Sequence, residues 1–107
     1  MAPRPLRPAR EFEAAVERGD LQLAIAIARD IARELQRPIP LARALELLAL
    51  GASQQAESYD AWALRWLARW ATETPNATID EALDIAAGLA ALPVEPEAIE
   101  TIRRVGH

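Results

Sequence analysis

The side chains of this sequence able to do chemistry are its carboxylates and a helically spaced series of aromatic rings with arginines beside it. The usual nucleophiles and bases are sparse. His107 is the sole histidine and the last residue, and there is no cysteine. A thiol nucleophile, a thiolate metal site and a conventional Ser-His-Asp arrangement are therefore excluded. The glycines stand at positions 19, 51, 88 and 106, too scattered for a phosphate-cradling loop. Asp80, Glu81 and Asp84 form the remaining carboxylate group, and Asp80 and Asp84 are neighbours on a helix surface. Such a pair normally holds a divalent cation only with ligands from other elements. Acidic residues in the first turns of a helix are in any case expected from its dipole. The expectation is a protein that is not an enzyme and needs no cofactor and no metal.

The aromatic series carries more weight. Tyr59, Trp62, Trp66 and Trp70 fall, at about 100° per residue, within an arc of about 80° on one helix. Leu64, Leu67 and Ala71 continue the apolar surface on one side. Arg65 and Arg69 border the other, each three residues after a Trp and within reach of cation–π contact. In one reading the rings are core, packed against Ala-rich faces of neighbouring helices. In the other, one or two rings stay partly exposed and anchor a partner, since Trp and Arg are enriched at such anchors and each buried indole N–H needs an acceptor. On that second reading the partner-binding residues are Trp62, Arg65, Trp66, Arg69 and Trp70.

Positioning these side chains requires helices. Residues 1–8 hold three prolines and two arginines, which forbids a regular helix and reads as a flexible Pro/Arg-rich arm. A helical domain then spans 9–105, its first helix starting near Pro8, tolerated in a first turn, with Phe12, Ala15 and Val16 inward. Gly19-Asp20 gives a helix stop followed by an N-cap. The second helix, from about Leu21 to Gln36, places Leu23, Ala24, Ile27, Ala28, Ile31 and Leu35 on one face, widened by Leu21, Ile25 and Ala32. Pro38-Ile39-Pro40 breaks the chain before a third helix from about Leu41 to Leu50, ended by Gly51, and residues 51–57 suit a loop. Ser58 is placed to cap the fourth helix, which runs to about Thr72. Thr78 and Glu81 have capping-box spacing and open a fifth helix to about Ala91, with Ile79, Ala82, Leu83, Ala86, Leu89 and Ala90 as its apolar set. Pro93 to Pro96 separates a last helix bearing Ile99, Ile102 and Val105. No run alternates apolar and polar residues long enough for a strand. The fold class expected is all-α, a single compact domain of five or six helices arranged as successive helical hairpins.

The hairpins begin near residues 9, 41 and 78, close to the 34-residue period of tetratricopeptide repeats. The string Gly19-Asp20-Leu21, with Ala24-Ile25 after it, resembles the turn and second-helix start of that repeat over about 25 residues. The resemblance implies a stack of helical hairpins that binds other proteins. It departs at the second hairpin, where Trp62 stands at a position the family fills with a small residue and the preceding loop is long; no partner-binding residue is carried over from the family. The alternative arrangement is an irregular compact bundle.

Composition narrows the function classes. The chain has 107 residues, enough for one core, and 51% hydrophobic residues with few aromatics, which favours helix over strand. There is no secretory signal pattern and no apolar run long enough to span a membrane, so a cytoplasmic location is expected. All 12 basic residues are arginine, a bias that a GC-rich bacterial genome produces. The net charge of −4 argues against nucleic acid, whose binding rests on phosphate neutralisation. Charge is unevenly placed: Arg4, Arg7 and Arg10 open the chain without an acid, and residues 71–101 carry seven acids, Glu73 to Glu100, without a base. The expected role is a small helical protein–protein interaction or adaptor domain whose partner is another protein. The alternatives are a self-associating structural domain forming a homo-oligomer, and a nucleic-acid accessory protein using the arm and the Trp/Arg helix.

Overall fold

Three helical hairpins follow one another along the chain. The computed structural model describes residues 8–106, so most of the Pro/Arg arm and His107 lie outside the described residues. Among the described residues there are six helices and no strand: α1 (Pro8–Arg18), α2 (Leu21–Leu35), α3 (Leu41–Ser53), α4 (Tyr59–Glu73), α5 (Ile79–Ala91) and α6 (Ala98–Gly106). The closest packing is within the pairs α1–α2, α3–α4 and α5–α6; α2 also packs on α3, α4 on α5, and α1 on α3. The resulting body measures 53 × 30 × 21 Å.

The helix boundaries follow local chemistry. Gly19 sits at φ 76°, a region open to glycine without strain, and Asp20 accepts a hydrogen bond from the Leu23 amide. At the other end of α2, Gln36 adopts φ 56° and the Gln36 and Arg37 amides donate back to Arg33 and Ala32, closing the helix in the left-handed manner usual for glycine. At α5 the capping box forms: the Glu81 amide donates to the Thr78 hydroxyl and the Thr78 amide to the Glu81 carboxylate.

Three boundary expectations are corrected. Gly51 does not end α3, which continues to Ser53; its missing side chain instead admits the Trp62 ring, 3.0 Å from where a Cβ would stand. The loop is therefore shorter than 51–57. Ser58 is the residue before α4 but its side chain makes no capping hydrogen bond.

The core has two parts. Phe12 and Ala15 of α1 meet Ala24 and Ala28 of α2, with Leu47 and Leu50 of α3 alongside. The larger part joins Leu45, Leu48 and Ala52 of α3, Tyr59, Ala63, Trp66 and Trp70 of α4, Ile85 and Leu89 of α5, Leu92, and Ile102 of α6. The apolar set expected for α5 is also corrected. Its buried residues are Ile85, Gly88 and Leu89, whereas Ile79 and Leu83 are 79% and 62% exposed. The cause is Gly88. A Cβ there would stand 2.8 Å from Ile102 Cγ1, so α6 approaches the Gly88 side and turns Ile79 and Leu83 outward. On α2, Leu23 and Leu35 of the expected inward face are exposed as well.

Candidate partner-binding groove

The aromatic helix divides its rings between two tasks. Tyr59, Trp66 and Trp70 enter the core. The buried Tyr59 hydroxyl donates to the Leu89 carbonyl at 2.6 Å, tying α4 to α5. Burial, and then the neighbouring Asp60 charge, push its pKa up to about 12, because both disfavour the phenolate. Trp66 is only 6% exposed, and its indole N–H donates to the Leu41 carbonyl at 2.9 Å, at the first turn of α3. Trp70 is 1% exposed, and its indole nitrogen has no hydrogen-bond partner among the described residues. Gly106 of α6 packs against it, a Cβ there standing 3.6 Å from that nitrogen.

Trp62 remains half-buried on the other flank, laid over Gly51. It forms one wall of a groove of about 310 Å³ between α2, α3 and α4. Ile25 and Arg29 contribute from α2, Ala44, Leu47 and Leu48 from α3, and Trp62, Arg65, Trp66 and Arg69 from α4. Four of the five residues expected to bind a partner are thus brought together: Trp62, Arg65, Trp66 and Arg69. The fifth, Trp70, lies in the core beneath α6.

The arginines behave differently from the cation–π border expected of them. Among the described residues the cation–π contact is instead Arg43 over the Phe12 ring, 5.8 Å from its centroid. Arg43 also pairs with Glu13 at 2.6 Å, a hydrogen bond that raises its pKa above the ordinary value. Arg69 donates to the Ile39 carbonyl at 2.8 Å and to Glu73 at 2.9 Å, so it pins the α2–α3 link to α4. Arg65 and Arg29 have neither an ion pair nor a side-chain hydrogen bond to any described residue. Among the described residues no carboxylate lines the groove. Sequence reasoning missed Arg29 and Leu47 as groove residues. Arg29 lies opposite the apolar face of α2 and is exposed, yet it lines the groove together with Arg65 and Arg69 of α4.

A second surface lies between α4 and α5, where Leu64, Leu67, Ala86 and Ala90 line a shallow depression with Asp60 at its edge. Leu64 is 68% exposed there. Asp80 and Asp84 are both exposed on α5, and Glu81 is engaged in the cap. Among the described residues no three His, Cys, Asp or Glu side chains are grouped to hold a metal ion, and no helix is long and apolar enough to cross a membrane.

No protein-family model matches the chain, and no significant match is found among curated proteins or solved structures.

Proposed function

We propose that this protein is a protein–protein interaction domain, and that its binding surface is the α2–α3–α4 groove. The observation that carries the reading is the groove itself: an apolar floor of Leu47 and Leu48, a half-buried Trp62 wall, and two arginines, Arg29 and Arg65, without a partner among the described residues. A concave apolar surface with few convergent polar groups is the usual form of a binding site, and a Trp beside Arg is the usual composition of a binding anchor. The groove walls are held from behind by the Trp66–Leu41 and Arg69–Ile39 hydrogen bonds, which keep its shape ready before a partner arrives. The pairing of helices along the chain resembles that of tetratricopeptide stacks and accords with this role.

Site-specific photo-crosslinking in the source cells tests the reading. A crosslinker at position 65 is expected to give an adduct with a different protein, lost on Trp62→Ala. Adducts at position 83 on α5 and none at 65 would overturn it.

A second reading, self-association, is favoured by the exposed Leu64, Ile79 and Leu83 of α4 and α5, since apolar patches of this kind mark contact surfaces. It requires a dimer across a two-fold axis. Sedimentation of a monomer at high micromolar concentration excludes it.

A further inference from the structure

We infer that the groove receives an acidic amphipathic segment of another protein, its apolar side chains on Leu47 and Leu48 and its carboxylates on Arg29 and Arg65. This rests on the groove being the binding surface. The charge pattern names the chemistry. The chain carries 16 acids against 12 arginines, yet among the described residues the groove is lined by Arg29, Arg65 and Arg69 and by no carboxylate. Of its arginines, Arg69 already donates to Glu73 and to Ile39. Arg29 and Arg65, on opposite walls, keep their donors for an incoming group. A guanidinium presents planar paired donors that match a carboxylate. The apolar floor between them requires that the same segment also carry aliphatic or aromatic side chains.

Nucleic acid fits this surface less well. Its affinity comes from neutralising many phosphates, and two unengaged arginines in a molecule of net charge −4 provide little of that. A stacking platform presents rings to successive bases, whereas Trp66 and Trp70 are buried and Trp62 alone of the three indoles is half-buried. The surface between α4 and α5 has the opposite character, with Asp60 at its edge and no base in its lining.

The test is selection of a random-peptide display library on the full chain. Enriched peptides are then titrated by tryptophan fluorescence and mapped by the indole N–H and Leu47 methyl resonances. Peptides that combine Asp or Glu with Leu, Ile or Phe and shift Trp62 and Leu47 are the expected result. Arg29→Glu and Arg65→Glu should each weaken them by about tenfold or more, with Arg29→Gln and Arg65→Gln giving smaller losses. Since neither guanidinium bonds to a described residue, all of these variants should keep the parent circular dichroism. Peptides that occupy the groove but are neutral or basic, or that are indifferent to both arginines, would overturn this inference and leave the groove as the binding surface. Peptides that shift only Leu64 and Leu83, an empty selection, or groove occupancy by a single-stranded oligonucleotide would overturn both.

Discussion

Tyr59 is the sole tyrosine of the chain, so the ultraviolet titration of phenolate reports this one hydroxyl. Its pKa is raised from 10 to about 12, which means the folded chain holds the phenolic proton more tightly than the unfolded chain does. The stabilisation is therefore complete below pH 10 and is lost as pH rises from 10 toward 12. A titration followed at the phenolate band should show a midpoint near 12 in the folded protein and near 10 in denaturant. Urea midpoints should hold constant up to pH 9 and then fall. Tyr59→Phe should remove this fall and should itself cost about 1–3 kcal/mol by orphaning the buried Leu89 carbonyl. Nothing in the sequence distinguishes Tyr59 from its three Trp neighbours in this respect. The spacing put all four rings on one face, but which of them turned inward was decided by α3 and α6. Leu41 supplied the acceptor for Trp66, Gly106 left room for Trp70, and Gly51 gave Trp62 a seat at the edge.

The helices were legible where the boundary is local chemistry and misread where it depends on a distant neighbour. Asp20 and Thr78 cap as their side chains dictate, and Thr78→Ala should lower stability by about 1 kcal/mol, measurable as a shift of the urea midpoint. Gly51 was misread because glycine commonly stops a helix, whereas here it makes room for a ring from α4. The same holds for α5. Its apolar residues surround most of its circumference, so periodicity alone cannot choose a buried face, and the deciding residue is the one with no side chain. Gly88→Ala gains about 1 kcal/mol of helix propensity, but its Cβ would stand 2.8 Å from Ile102 Cγ1. Ile102 is itself completely buried and has nowhere to move. Overpacking of this kind costs about 1–3 kcal/mol, so a net loss is expected in denaturant titrations. Gly88→Ala combined with Ile102→Ala should recover part of the clash while losing the isoleucine's own packing. A double-mutant cycle separates the two.

At the scale of the molecule, the two-part core sets the order of failure. The α1–α2 part rests on one large side chain, Phe12, and on alanines, and joins the remainder through α3; the other part holds Tyr59, Trp66, Trp70, Ile85 and Ile102. Phe12→Ala should cost about 3–5 kcal/mol, and its effect should be local. Hydrogen exchange is expected to show α1 and α2 amides opening while α4 to α6 stay protected and the near-ultraviolet tryptophan signal persists. Uniform loss of protection through α6 would contradict a divided core. One wall of the groove, Arg29 with Ile25, belongs to the less secured hairpin and the other to the more secured one. Trp62 stands at their boundary, the only indole of the chain outside the fully buried set. It makes the protein its own optical gauge. Iodide, drawn to the uncompensated Arg29 and Arg65, should dim the red-shifted part of the emission that Trp62 contributes and leave the blue part from Trp66 and Trp70 untouched, and an occupied groove should abolish that selectivity.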